Sequence, residues 1–484
     1  MTVLSQRAAR GTATTLAAQL VRFALQFGSV LVLARLLVPA DFGLVAMVTA
    51  VIGIAEIFRD FGLSAAAIQA PELSRAQRAN LFWANTGLGV ACALVAVALT
   101  PVIVALYDEP RLGSVVPALA GVFVLSGLNS QYRASLTRDM RFGVLAVSDV
   151  VAQAVGAAVA IGLAWAGAGL WALVAQQLVV ALASLVVNVA NARWLPGRPV
   201  RGAPIRGFMR YGSGFLGAQA LMYATSNVDA VVVGAAWGKV EIGFYSRAYQ
   251  LLMVPLNQIN APLTRVALPV LSRIQQDTQR LAHYVGRAQL VVCYVTTLLL
   301  AVAAALAEPH VRVLFGAGWD GVAPIFAVLA IGGIFRAAAS VAYWTYLARA
   351  LTGAMFRLQL WARPLMVAII VAGTPWGGIG VATGVAVAYA GYWVVSLLDI
   401  GRRTQIPVAP FFGKAIFAML VVAAPVAAAA WGASLALQGP LARVLLGLAA
   451  AAGALGVLWL AIPTVRRDLG VLATFGRQAL RRAT

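Results

Sequence analysis

Long apolar stretches separated by short segments rich in Arg, Pro and Gly make up this chain, and the length of those stretches fixes its elements. Runs of about 20 apolar residues suffice for a helix to cross about 30 Å of hydrocarbon. Fourteen such helices are predicted, near residues 12–36, 41–69, 79–106, 113–136, 143–166, 168–191, 207–236, 241–269, 283–307, 320–348, 355–375, 377–400, 411–437 and 440–462.

Polar positions inside the first two runs recur at helical spacing. Thr15, Gln19, Arg22, Gln26 and Ser29 follow one another at intervals of three and four, as do Thr49, Gly53, Glu56, Asp60 and Ser64, with Arg59 beside them. Each set is one stripe on an otherwise lipid-compatible helix. A charged side chain at mid-bilayer costs about 2.5–3.5 kcal/mol on insertion scales, so these stripes should face protein or a water-filled cavity.

Composition narrows the class. Of 484 residues 62% are hydrophobic and only 11% charged, which excludes a water-soluble fold and predicts an integral membrane protein. The net charge of +21 does not point to nucleic acid, because no soluble stretch exceeds about 20 residues and a basic binding domain has nowhere to sit. It reads instead as topology plus attraction to anionic membrane lipids. With the N-terminus in the cytoplasm, 26 of the 36 basic residues collect on that side. Five (Arg35, Arg111, Lys239, Arg312, Arg443) fall on the other side and five within spans. Both termini are therefore expected inside, in a multi-pass protein. Arg22 interrupts what would be a signal-peptide core, so the first span is expected to be retained. Cys92 and Cys293 lie in different apolar runs and read as small buried hydrophobes, and His283 and His310 make no metal motif. No cofactor or metal is expected.

An internal repeat appears at an offset of about 200 residues. Val38–Leu44 (VPADFGL) aligns with Gly238–Phe244 (GKVEIGF), Leu73–Arg75 (LSR) with Leu271–Arg273, PVIVALY at Pro101 with PHVRVLF at Pro309, and Pro117 with Pro324. Each repeat holds six spans of the same sidedness, as in two-lobed transporters. The expected organisation is an N-terminal lobe at 1–192, a basic linker at 193–206, a C-terminal lobe at 207–405, and two further helices with a basic tail at 406–484.

The segments ARLLVPADFGLVA, FRDFGLSAAAIQ, LSRAQRANLFWAN, NVDAVVVG and GFYSRAYQLLMVPLNQINAPLTRVALPVLSRIQ resemble the polysaccharide exporter and O-antigen flippase family. That family lies within the multidrug/oligosaccharidyl-lipid/polysaccharide exporter superfamily, and the likeness is to its colanic-acid-exporter-like branch. The resemblance covers roughly residues 10–410. It implies an all-α polytopic fold with two pseudo-symmetric six-helix lobes around a central cavity, plus two extra C-terminal helices. It also implies translocation of undecaprenyl-diphosphate-linked oligosaccharide across the bacterial inner membrane by alternating access, with no covalent chemistry. Other polysaccharide-assembly membrane proteins are the partner candidates.

Such a carrier must hold two phosphates away from bulk water, which suits the planar, permanently charged Arg fork. Arg22, Arg59, Arg247, Arg336 and Arg363 lie within spans and are the candidate cavity cations. Gln19, Gln26 and Asn227 are candidate polar lining. The in-span carboxylates Glu56, Asp60, Asp149 and Asp229 are candidates for coupling to H+ or Na+, and each is equally readable as the ion-pair partner of a nearby Arg. Arg22 is expected to meet either the substrate's phosphate or Glu56 and Asp60 on the next span. No GxxxxGK[ST] loop is present, so an ion gradient or the substrate's own gradient must supply the energy. The rivals are a lipid II flippase, a multidrug exporter and, in another class, a membrane polymerase or ligase. The last needs a sizeable outer loop, and the longest, about Ala307–Trp319, is short. Trp237, Trp319 and Trp376 read as an interfacial belt, and Pro255 and Pro262 as hinges or kinks.

Overall fold

The computed structural model describes residues 3–60, 63–69, 73–200 and 206–481; within these, the side chains of 3–18, 52, 54–60, 65, 66, 69, 206–226, 261, 262, 265, 266 and 473–481 are not described. By density of contacts the chain divides into two compact units, Met1–Gly243 and Phe244–Thr484. Every element among the described residues is helical.

The first unit runs α1 (Val3–Leu36), α2 (Pro39–Asp60), α3 (Leu63–Gln69), α4 (Arg75–Ala98), α5 (Thr100–Tyr107), α6 (Leu112–Arg138), α7 (Phe142–Trp165), α8 (Leu170–Ala192) and the start of α9 (Arg206–Arg273). Here α6 packs on α4 and α8, and α7 on α1 and α8. The second unit holds the rest of α9, then α10 (Thr278–Ala305), α11 (Ala307–Leu314), α12 (Val322–Ala348), α13 (Thr352–Ala372) and α14 (Gly377–Thr404). It ends with α15 (Ala409–Ile416), α16 (Ala424–Ser434), α17 (Pro440–Ala461) and α18 (Pro463–Arg481). There α12 packs on α10 and α14, and α13 on α14, so the α4–α6–α8–α7 order recurs as α10–α12–α14–α13. The repeat extends to the short helices: PVIVALY forms α5 and PHVRVLF lies within α11 and the turn after it.

Ten stretches among the described residues are long and apolar enough to span a membrane, and one of them, Thr352–Thr404, contains both α13 and α14. They account for eleven of the predicted spans. The other three, 41–69, 207–236 and 241–269, fall in part on side chains outside the described set. Leu94, Leu420 and Leu460 are 65%, 65% and 73% exposed amid many other bare aliphatics, as on helices that face lipid.

Helix ends follow local chemistry. Ser74 and Gln77 form a capping box that starts α4. Pro101 at the start of α5 separates it from α4, so the predicted 79–106 run is two helices. A wide π turn over Phe417–Ala423 joins α15 to α16 just before Pro425, where an ordinary turn would drive the proline ring into the carbonyl of Val421. In α9 the only non-helical dihedrals are at Gly238, φ +77 and ψ −172, and not at Pro255 or Pro262. Three expectations change. The predicted loop 307–319 is largely α11. Trp319 is buried against Phe315 and Phe244, so only Trp237 and Trp376 of the three stand exposed. A further helix, α18, follows the last span.

Small residues set the closest approaches. A Cβ at Gly89 would lie 2.6 Å from the Phe123 carbonyl oxygen, and one at Gly127 would lie 2.8 Å from that of Asn85, so α4 and α6 touch backbone to backbone. Beside this crossing the buried Gln131 donates to Asn85 Oδ1 at 2.8 Å. The repeat-related segments 38–44 and 238–244 cross each other reciprocally. A Cβ at Gly43 would fall 1.7 Å from the Lys239 oxygen, and one at Gly243 would fall 2.2 Å from the Pro39 oxygen. Nearby, Lys239 Nζ meets Glu109 at 2.6 Å and Arg111 meets it at 3.8 Å. In the second unit Arg443 reaches Glu308 at 3.2 Å, and Arg312 reaches Glu308 at 3.2 Å and Asp320 at 3.0 Å. Four of the five basic residues assigned to the sparse side are thus paired with acids, sharing three carboxylates.

Two substitutions separate strain from crowding. Nothing lies within 4 Å of a Cβ at Gly238, so Gly238→Ala should cost only backbone strain, about 1–3 kcal/mol. Gly43→Ala should cost more, because the Lys239 carbonyl must move. Thermal unfolding in detergent should rank wild type above Gly238→Ala above Gly43→Ala.

Candidate functional site

The polar groups of the first unit converge where α1, α6, α7 and α8 meet. Asp149, two turns into α7, is the hub. Arg133 of α6 donates to its carboxylate through Nη1 at 2.7 Å and Nη2 at 3.4 Å, and Arg22 of α1 reaches it at 3.4 Å. One carboxylate therefore serves two guanidiniums, and the cluster keeps one net positive charge. It is accessible: the side chains of Arg22, Arg133 and Asp149 are 49%, 38% and 27% exposed. Gln19 and Gln26, one turn either side of Arg22, are exposed on the same face of α1.

Behind the cluster lies a polar network that fixes it. Asn129 donates to Ser184 Oγ at 3.0 Å, Asn188 donates to Asn129 Oδ1 at 2.9 Å and to Ser184 Oγ at 3.3 Å, and Ser148 sits 3.5 Å from Ser184 Oγ. Ser184 Oγ is also 3.5 Å from Arg133 Nη1. All four are buried, so α6, α7 and α8 are tied together by hydrogen bonds between buried polar groups, with Asn188 Oδ1 alone of the network's amide oxygens lacking a partner.

The remaining predicted residues distribute as follows. Glu56, Arg59 and Asp60 have side chains outside the described set. In α9 Asp229 is buried, its Oδ1 accepting from the Ala230 N–H at 2.9 Å, with Asn227 part-buried one half-turn before it. In the second unit Arg336 donates to the Tyr249 hydroxyl at 2.9 Å and stacks 5.1 Å from the Tyr389 ring. Arg363 lies 5.7 Å from the ring of Tyr392, one turn further along α14. Arg247 is part-buried on α9. The structure thus joins Arg22 to Asp149 and, in the second unit, sets Arg336 and Arg363 against an aromatic pair on α14.

Arg133 was missed. It was counted with the inner-loop cations, yet α6 continues to Arg138 and Arg133 points into the cluster. The signal is available, since Ser126, Ser130, Arg133 and Thr137 follow at intervals of four, three and four, with Asn129 beside them, like the stripes of the first two spans.

The sequence profile of a family described as polysaccharide biosynthesis protein matches residues 32–324. The chain belongs to this family. Among its relatives, the lipopolysaccharide biosynthesis protein WzxC of Escherichia coli (strain K12) is 24% identical over 73% of this chain and 72% of its own length. The succinoglycan biosynthesis transport protein ExoT of Rhizobium meliloti (strain 1021) is 28% identical over 64% of this chain and 63% of its own. The teichuronic acid biosynthesis protein TuaB of Bacillus subtilis (strain 168) is 26% identical over 58% of this chain and 59% of its own. Among solved structures, the fold is that of the lipid II flippase MurJ in an inward closed conformation, with a TM-score of 0.70 at 12% identity over 93% of this chain and 99% of that one. An inward-facing multidrug transporter of the MATE family follows, at 0.59 and 13% identity over 79% and 94%. This family member is therefore an all-α polytopic membrane protein, as its apolar runs predict.

The cluster makes its own prediction. Arg133→Gln leaves Asp149 with the more distant Arg22 alone and, the pair being partly exposed, should cost about 1 kcal/mol of stability. Asp149→Asn added to it should not recover the loss in thermal unfolding, because it takes from Arg22 the acid that still balances it.

Proposed function

We propose that this chain is a flippase that carries an undecaprenyl-diphosphate-linked oligosaccharide, a repeat unit of lipopolysaccharide or exopolysaccharide, across the bacterial inner membrane by alternating access. The observation that carries the reading is the accessible, net-positive Arg22–Asp149–Arg133 cluster in a member of a polysaccharide biosynthesis family. The relatives are named for lipopolysaccharide, succinoglycan and teichuronic acid, chemically unlike glycans, so what they share must be handled apart from the sugars. An anionic diphosphate is such a common part, and guanidiniums are its natural partners. An enzyme reading finds less support. The second unit's longest predicted outer loop is mostly a helix, and ExoT is named a transport protein.

The ends of α8, α12, α14 and α17 nearest Arg193, Arg349, Arg402 and Arg466 are assigned to the cytoplasm, with both termini there. Four of the five basic residues on the opposite side being paired with acids supports that orientation, since three carboxylates offset most of their charge. Arg466 and Arg467 on α18 then meet the anionic inner leaflet, while its only acid, Asp468, is buried and accepts from the Tyr294 hydroxyl at 2.9 Å. H+ or Na+ coupling is assigned to Asp149 and Asp229.

Deleting the gene should accumulate lipid-linked oligosaccharide in the cytoplasmic leaflet; unchanged levels there would contradict the reading. In a background lacking Cys92 and Cys293, an impermeant thiol reagent added to intact cells should label Ser114→Cys and spare Asp139→Cys, both exposed positions. The reverse pattern would invert the topology.

A further inference from the structure

The basic segment that follows α8 does not run free. Arg193 ends α8 in the left-handed region, φ +55 and ψ +27, and the chain then lies against α4 and α6. Trp194 is its pin: the ring centroid is 4.9 Å from that of Tyr132 on α6 and 6.2 Å from that of Phe82 on α4, with the Arg78 guanidinium 5.4 Å over its face. Six residues further on, the Asn80 side chain closes a clasp. Its Nδ2 donates to the Val200 carbonyl at 3.0 Å and its Oδ1 accepts from the Val200 N–H at 2.8 Å, so it pairs with that residue as a neighbouring strand would. Between pin and clasp, Trp83 Nε1 donates to the Gly197 carbonyl at 2.9 Å.

Pin and clasp differ in what surrounds them. Trp194 packs on a cluster built around Phe82, Tyr132 and Ala192, and withdrawing it would bare that cluster to water. The three bonds of the clasp are exposed, as are Leu195 and Val200, so water can replace each bond with little net loss. Pro196 and Pro199 stiffen the segment, which lowers the chain entropy lost each time it reseats. A leash of two lengths results. With the clasp closed, residues 201–205 join Val200 to Arg206 at the start of α9, and fully extended they reach about 20 Å. With it open and Trp194 still pinned, residues 195–205 make the join and reach about 40 Å. We infer that the Asn80 and Trp83 clasp is a releasable latch that sets how far the start of α9 can travel from α4, and that it opens during transport. Only the last clause rests on the flippase reading, since a carrier that alternates access has a use for both lengths.

The test uses the full chain with Cys92 and Cys293 replaced by Ala. Hydrogen exchange at the Val200 amide should be several-fold slower in this background than after Asn80→Ala, which removes its acceptor and leaves the fold intact by thermal unfolding. Equal exchange in the two proteins would overturn the clasp. Spin labels on Arg75→Cys and Gly207→Cys report the leash: Asn80→Ala with Trp83→Phe should add separations several ångströms longer than the clasped protein shows, and an unchanged distance distribution would overturn it. For the cycle, Asn80→Cys and Val200→Cys are oxidised to a disulfide in reconstituted vesicles. The locked protein should translocate lipid-linked oligosaccharide several-fold more slowly, and a reductant should restore the rate. A pair that does not cross-link, or a fully cross-linked protein that translocates at the reduced rate's equal, would overturn opening during transport. Failure of the background protein itself to translocate removes the flippase reading instead, and the latch then stands or falls on the exchange and distance results.

Discussion

A cation placed among helices that otherwise satisfy lipid must find a counter-charge, and in the first unit that requirement is met by one carboxylate. Asp149 lies about 10 Å along the axis of α7 from its first residue. From there it takes Arg133 from α6 and Arg22 from α1. Removing it would leave two guanidiniums in mutual repulsion; removing either Arg would leave the other to balance it. The buried Asn129–Ser184–Asn188 network holds α6 against α8 behind this hub, so the charged groups are positioned by helices that cannot easily separate. A site built this way keeps one uncompensated positive charge without unfolding, which is what reversible binding of an anion needs.

Packing elsewhere solves a different problem. Helices in lipid gain nothing from hiding Leu against Leu, so close association comes from small residues that let backbones meet. Gly89 with Gly127, and Gly43 with Gly243, supply such contacts. The second pair is also the clearest trace of the internal repeat. Two segments about 200 residues apart cross so that the glycine of each faces the backbone of the other, as a pseudo-two-fold requires.

Much of this was legible in the sequence because hydrocarbon imposes a length and a polarity that the chain cannot avoid showing. The spans, the repeat and the stripe carrying Arg22 all follow from that. Two kinds of feature escaped. Partnerships between distant helices are invisible to spacing: the stripes offer Arg22 the substrate's phosphate or Glu56 and Asp60, whose side chains lie outside the described residues, and they do not point to Asp149 on α7, its described partner. Element ends were misjudged where polar residues sit within the last turns of a helix, so Arg133 was read as a loop cation and Trp319 as interfacial, though both point inward. Local breaks at Leu99, Gly238 and the π turn before Pro425 depend on backbone fit that a hydropathy pattern averages away.

The carrier proposed here is one that recognises the anionic junction of lipid and sugar and leaves the distal glycan to vary. The most direct measurement is protein-dependent translocation of a fluorescent undecaprenyl-diphosphate-linked oligosaccharide in proteoliposomes. Wild type would be compared with a variant in which Arg22 and Arg133 become Gln and Asp149 becomes Asn, so that charge is removed without stranding any of it. The account predicts translocation by wild type and its loss in a variant that still folds. Undiminished translocation by the folded variant would contradict it.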